Sequence, residues 1–215
     1  MNHDLITYYR DRAKEYEKIY TKPERQNDLK EATRTLQEYF AGKQVLEIAC
    51  GTGYWTEKIA DTATSVFATD INPSVIEQAK AKTWSHNNVT LEVADFYQLH
   101  PAQKYEAVFG GFIWSHILRE DLDTFVRKLY DFVLPRGLVV FMDNRYVQGS
   151  STPIAFTDTQ GNTFQTRKLE NGTEHQVLKN FPSEDFLKTK LENSFFHLQI
   201  INLEYYWIVA GERMN

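Results

Sequence analysis

Gly51 and Gly53 stand where a short apolar segment, Val45-Leu46-Glu47-Ile48, runs into a turn. Glycines there permit backbone conformations and a close ligand approach that a β-carbon forbids, and the helix that follows offers unpaired N–H groups. Asp70 ends the next apolar run, Val66-Phe67-Ala68-Thr69, and Asp95 ends the one after, Val89–Ala94. In an open parallel sheet the carboxyl ends of neighbouring strands face one crevice, so the glycine turn and both carboxylates would line a single ligand site. An ionised carboxylate only accepts hydrogen bonds, which suits Asp70 to a vicinal diol and makes it repel a 2′-phosphate. Taken singly, each carboxylate is equally well a strand-end or helix-cap group. His116, in the loop Gly110-Gly111-Phe112-Ile113-Trp114-Ser115-His116 after a fourth apolar run, is the best base candidate by position and intrinsic pKa. Its structural alternative is a histidine at the start of a helix, bonded to backbone.

The elements that must position these groups follow from periodicity. Tyr9, Ala13, Tyr16 and Tyr20 form one apolar stripe at helical spacing. Thr21-Lys22-Pro23-Glu24 has the form of a capping box, predicting a second helix to about Phe40 with Leu29, Ala32, Leu36 and Phe40 inward. Asn72-Pro73 predicts a capped helix over Ser74–Lys82. Tyr105–Gly110 reads as the fourth strand, and Leu122, Phe125, Val126, Leu129, Phe132 and Val133 as one helix face that Pro135-Arg136-Gly137 stops. Leu138–Met142 is the fifth strand. Thr163–Leu169 and Glu174–Leu178 flank Asn171-Gly172, a strong hairpin signal, so residues 144–181 read as an insertion above the sheet. A helix from Ser183 and two last strands, His197–Leu203 and Tyr205–Ala210, complete the chain.

Composition narrows the classes. The 215 residues suit one α/β core. A net charge of −5, with Lys and Arg dispersed among Asp and Glu, argues against nucleic acid as substrate. Cys50 is the single cysteine, so no internal disulfide forms and a cytoplasmic location is expected; it reads as a small apolar filler of the loop. Neither a signal core nor an apolar run near the ~20 residues of a membrane helix is present in the sequence, so no membrane partner is expected.

The set Glu47-x-x-Cys50-Gly51-Thr52-Gly53 with Asp70 and Asp95 resembles the class I S-adenosylmethionine (SAM)-dependent methyltransferases, most strongly from Gln44 to Asp143. The resemblance implies an α/β three-layer sandwich: a Rossmann-like, mostly parallel seven-stranded sheet with an antiparallel last strand. Residues 1–42 would form an N-terminal helical lid, and the whole chain one domain. It further implies that Gly51 and Gly53 pass under the methionine part of SAM and that Asp70 binds both ribose hydroxyls. Ile71 would pack on the adenine, Asp95 would accept from its amino group, and the Phe96 N–H would face the ring. Glu47, Ala49 and Gly111 complete the cofactor set, and Arg12 would pair with the cofactor carboxylate.

Two neighbouring readings fit less well. A dinucleotide loop wants G-x-G-x-x-G, whereas Thr56 occupies the third glycine position, and no Gly-Lys-Ser/Thr follows for a P-loop. The expected function is therefore methyl transfer from SAM to an N or O nucleophile of a small molecule, leaving S-adenosylhomocysteine (SAH). The alternatives are an NAD-dependent oxidoreductase and a SAM-binding sensor without catalysis. Tyr8, Tyr9, Trp114, Asp143, Arg145 and Tyr146 are the candidate acceptor contacts, the aromatic ones suiting a small aromatic or cationic amine. Asp143-Asn144 is similar to two ligands of cation-dependent catechol-type enzymes, but Gly110-Gly111 replaces the acidic partner, so no metal is expected. A monomer or homodimer is expected.

Overall fold

The computed structural model describes residues 3–100 and 103–215. Seven strands form the main sheet: β1 Gln44–Ile48, β2 Ser65–Asp70, β3 Val89–Val93, β4 Tyr105–Gly111, β5 Val133–Asn144, β9 Phe195–Asn202 and β10 Tyr206–Arg213. Their order is β3-β2-β1-β4-β5-β10-β9, with only β10 antiparallel to its neighbours. The order reverses between β1 and β4, which pair directly. At that switch point the carboxyl ends of the strands open a crevice.

Burial explains the order. Val45 through Ile48 are all buried, as a central parallel strand covered on both faces requires, whereas β3 is mostly exposed at the sheet edge. Helices α2 Gln26–Phe40 and α3 Tyr54–Ala60 cover one face with Leu29, Leu36, Phe40 and Ile59. Helices α5 Leu122–Lys128 and α6 Glu184–Leu191 cover the other with Phe125, Leu187 and Leu191. Helix α4 Pro73–Lys80 flanks β2 and β3. This is the expected three-layer α/β sandwich. A separate sheet, β6 Phe156–Thr157, β7 Thr163–Lys168 and β8 Glu174–Leu178, stands after β5; the expected hairpin has gained a short third strand. Helix α1 His3–Arg12 packs on β8, where Leu5 and Tyr8 meet Leu169 and Val177.

Several local expectations fail for tertiary reasons. The aromatic stripe is not one helix: α1 stops at Arg12 and a 3-10 run covers Ala13–Thr21. There Tyr20 stacks on Tyr54 at 3.8 Å and meets Trp55 edge-on, so packing overrides the 3.6-residue period. The capping box does not form, since the Thr21 hydroxyl donates to the Lys18 carbonyl and α2 starts only after a 3-10 turn, Pro23–Arg25. Asn72 precedes α4 without a side-chain cap; its amide donates to the Ile6 carbonyl instead, at 2.8 Å, and so ties α1 to the sheet. The α5 face ends early, because Val133 already pairs with Tyr105 in β5. Pro135-Arg136-Gly137 then forms an irregularity inside that strand, with Arg136 at φ 61°.

Candidate active site

A cavity of 570 Å³ opens at the carboxyl ends of β1, β2 and β4, within the range of small-molecule sites. Ala49 and Gly51 of the turn after β1 line it, whereas Gly53 does not. Gly51 at φ 57° and Gly53 at φ 80° hold the left-handed backbone that glycine adopts freely, and a β-carbon on Gly53 would meet the Trp84 ring at 2.9 Å. Ala49 at φ 54° and Phe112 at φ 60° adopt the same region without glycine's freedom, and both line the cavity. Such strain collects at ligand sites, where the surroundings over-determine the backbone.

Asp70 ends β2 inside this cavity. One of its oxygens accepts from the Gly51 N–H at 2.9 Å and the other from the Asn72 N–H at 2.8 Å. Each oxygen keeps a second lone pair, so the carboxylate retains two acceptor positions, as a vicinal diol needs. Burial pushes the Asp70 carboxyl up to about 6, against the lowering effect of these N–H groups. Ile71, Ala94 and Phe96 supply apolar walls, and Gly111 lines the β4 side. The Asp95 carboxylate lies outside the lining, where it accepts from the Tyr97 N–H at 2.9 Å and shapes the turn that presents Phe96.

Glu47 lies behind the glycine turn, 2% exposed, with one carboxyl oxygen unpartnered. Burial raises it to about 8, eased by Thr56 and increased by Asp70, so it is protonated at neutral pH. The folded state then holds a proton that the unfolded chain releases near 4.5, and stability falls as pH rises from about 4.5 to 8. Glu47→Gln should flatten that limb and raise the melting temperature at pH 8 relative to pH 5. A variant that keeps the wild-type slope in parallel melts would remove Glu47 as its source.

His116 also lines the cavity, in a short 3-10 turn after β4. Its Nδ1 lies 2.6 Å from the Leu178 carbonyl, which can only accept, so Nδ1 carries the proton. Its Nε2 is then an acceptor for the Tyr9 hydroxyl at 2.6 Å. Burial, then Lys179, hold the imidazole well below its usual pKa, and burial raises the Tyr9 phenol. His116 bonds backbone, as its structural alternative expects, and the one nitrogen that could act as a base is engaged by the Tyr9 hydroxyl.

A second cavity of 350 Å³ adjoins the first across Tyr9, Tyr16 and Phe112, which line both. Tyr8 and Arg12 belong here. The Arg12 guanidinium lies over the Tyr16 ring at 5.2 Å, on this side and not among the residues lining the larger cavity. The remaining acceptor candidates are not drawn in. Trp114 is core, edge-on to Phe141 and Trp207. Arg145 and Tyr146 are exposed, Arg145 donating to the Leu203 carbonyl and Tyr146 meeting Phe181. Asp143 is wholly buried and occupied: one oxygen accepts from Lys179 Nζ at 2.7 Å and the Asn144 N–H, the other from the Ser115 N–H. Burial pushes its carboxyl up, but the Lys179 ammonium, aided by the Ser115 N–H, outweighs this and holds it below the usual range. Lys179, Arg167 and Arg25, which sequence reasoning passed over, all line the second cavity.

With this geometry in hand, comparison places the fold. A family model for a methyltransferase domain matches residues 45–137, from β1 into β5. A solved structure named DhpI-SAH complex superposes with a TM-score of 0.80 at 25% identity, covering 100% of this chain and 99% of that one. Among curated proteins, a malonyl-[acyl-carrier protein] O-methyltransferase of Ilyobacter polytropus is 28% identical over 166 residues, 73% of this chain and 61% of that protein. Phosphoethanolamine N-methyltransferase 1 of Zea mays is 24% identical over 123 residues, 56% of this chain and 25% of that protein. The chain thus spans between a quarter and about three-fifths of the length of these curated relatives. Residues 45–137 thus resemble a methyltransferase domain, and the whole chain shares its fold with a solved SAH complex. No described helix is long and apolar enough to cross a membrane.

Proposed function

We propose that the protein is a SAM-dependent methyltransferase acting on an N or O nucleophile of a small molecule. Asp70 carries this reading, because its two free acceptor positions lie beside the glycine turn in the larger cavity. Gly51, Gly53, Ala49 and Gly111 would hold the methionine part, Ile71 and Phe96 the adenine. Bound there, SAM supplies an electrophilic methyl group on a sulfonium. The relatives' names include both an O- and an N-methyltransferase, so the nucleophile is argued from the site itself.

In-line displacement depends mainly on alignment and exclusion of water. Leu5, Ile6 and Tyr9 of α1, with Phe164 and Leu178 of the β7–β8 hairpin, wall the cavity and support the proposed lid and insertion roles of residues 1–42 and 144–181. His116 holds the Tyr9 hydroxyl by its Nε2, leaving the phenol oxygen free to accept from an incoming acceptor at the junction of the two cavities.

Ligand binding tests the reading. SAH at 100 times its dissociation constant stabilises a fold by about 2.7 kcal/mol, so a melting shift of several degrees is expected with SAM or SAH and none with NAD. A shift with NAD alone would return the oxidoreductase alternative. SAM binding without methyl transfer to any amine, phenol or carboxylate would favour a sensor.

A further inference from the structure

The second cavity has a sign. Arg12, Arg25 and Arg167 line it, and among the described residues none of the three has a carboxylate partner. Arg25 donates to the Asn144 and Ser150 side chains at 3.4 and 3.2 Å, and its buried Nε is unpartnered. Arg167 donates twice to the Gln165 side-chain oxygen, at 3.1 and 2.8 Å. Lys179, Lys18, Lys22 and Lys168 also line the wall; Lys179 is neutralised by Asp143, Lys18 pairs with Glu170, and Lys22 lies 3.9 Å from Glu24. Glu15 is the one carboxylate in the lining. Cations gathered around a concave wall without counter-charges repel one another, an arrangement that a bound anion relieves; guanidinium forks match carboxylate and phosphoryl oxygens. In a chain of net charge −5 this concentration is not a general surface property.

We propose that this cavity binds the methyl acceptor as an oxyanion, a carboxylate or a phosphoryl group, and that the oxyanion itself is the nucleophile. The proposal rests on the methyltransferase reading above and names its acceptor class. The two cavities meet at Tyr9, Tyr16 and Phe112, so an anion held by Arg12 and Arg167 faces the methyl group across that junction. The anion's oxygen forms the new O–CH3 bond as the S–CH3 bond breaks, and the bonding pair passes to sulfur. The sulfonium becomes a neutral thioether, the acceptor loses one negative charge, and no proton is released.

The surroundings agree with a nucleophile that has no proton to lose. The Asp143 carboxylate is saturated by Lys179 and backbone, and His116 is held neutral, its Nε2 occupied by Tyr9. Neither is free to act as a base. Tyr9 keeps its proton on His116, so the guanidinium groups hold the oxyanion.

The test uses the full-length protein with four probes of similar size: propylphosphonate, butyrate, butylamine and 1-butanol. Binding is measured by calorimetry with SAH saturating, and methyl transfer from isotopically labelled SAM. One or both anions should bind the SAH-loaded protein and be methylated, the two arms telling phosphoryl from carboxylate, while amine and alcohol do neither. Arg167→Gln should weaken anion binding at least tenfold with SAH affinity within twofold, and Arg167→Lys should restore part of it. Methylation of butylamine or butanol with neither anion bound, or unchanged anion affinity in a folded Arg167→Gln protein, overturns the proposal. Failure to bind SAH overturns the methyltransferase reading itself, and the proposal with it.

Discussion

Lys179→Met should destabilise the fold by about 3–5 kcal/mol, the cost of leaving a buried charge without its partner. Asp143 is 0% exposed and Lys179 4% by side chain, and the ammonium donates to both the Asp143 carboxylate and the Ser115 hydroxyl at 2.7 Å. This pair joins the end of β5 to the end of β8, so it fastens the inserted sheet to the main one. Burial lowers the Lys179 ammonium to about 8 against the pull of Asp143, which leaves the pair charged at neutral pH. For a chain of this length the loss corresponds to a melting temperature lower by roughly 6–20 °C.

The pH dependence separates this mechanism from simple loss of packing. In the wild type the Asp143 carboxyl is held below its ordinary value, so its contribution is present above the unfolded pKa and lost as pH falls through the folded one. Without Lys179, burial dominates and the carboxyl rises, so protonation on acidification relieves the variant. Its deficit should therefore shrink between pH 7 and pH 4. Asp143→Asn combined with Lys179→Met should recover most of the stability at neutral pH, since neither buried charge remains. Denaturant melts of the wild type and the two variants at pH 5 and pH 7.5 decide the point; a deficit that is constant with pH would assign the loss to packing.

Much of the larger cavity was legible because it is local in sequence. A glycine turn after an apolar strand, and an acidic residue at the end of the next, have fixed spacing, and the parallel sheet brings them together. The strands were legible for the same reason, as apolar runs. The second cavity was not. Arg25, Arg167 and Lys179 come from the 3-10 turn before α2, from β7 and from the residue after β8, with no spacing that relates them. A faint signal exists in Val177-Leu178-Lys179-Asn180, where a lysine directly continues a buried strand and must find a counter-charge. Trp114 and Asp143 line neither cavity, because adjacency to the loop after β4 or the end of β5 does not say which way a side chain turns. Trp114 turns into the aromatic core, and Asp143 turns toward Lys179. The α5 boundary failed because Phe132 and Val133 are buried equally well in a helix or in a strand, and only pairing with Tyr105 decides.

Asp70→Ala should weaken SAH binding by about 2–4 kcal/mol, roughly 30- to 1000-fold, through loss of two charge-assisted hydrogen bonds to the ribose. The same carboxylate also accepts from the Gly51 and Asn72 N–H groups, so the variant loosens the turn that would hold the methionine part as well as the diol contact. The fold should survive, because removing a carboxyl that burial has raised to about 6 offsets part of what the two N–H groups lose. That raised value also predicts a pH dependence of binding. Below about 6 the free protein holds Asp70 protonated, a weaker acceptor for the diol, and binding must first expel that proton. Wild-type affinity for SAH should fall as pH is lowered from 7 to 5, approaching tenfold per unit at the acid end, whereas Asp70→Ala should be flat over the same range. Asp70→Asn, which keeps an acceptor oxygen without the charge, should lie between the two at pH 7 and show no acid limb. Calorimetric titration of the three proteins with SAH at pH 5, 6 and 7 measures both effects. A folded Asp70→Ala protein with wild-type affinity, or an acid limb that persists in it, would remove Asp70 from the ribose site.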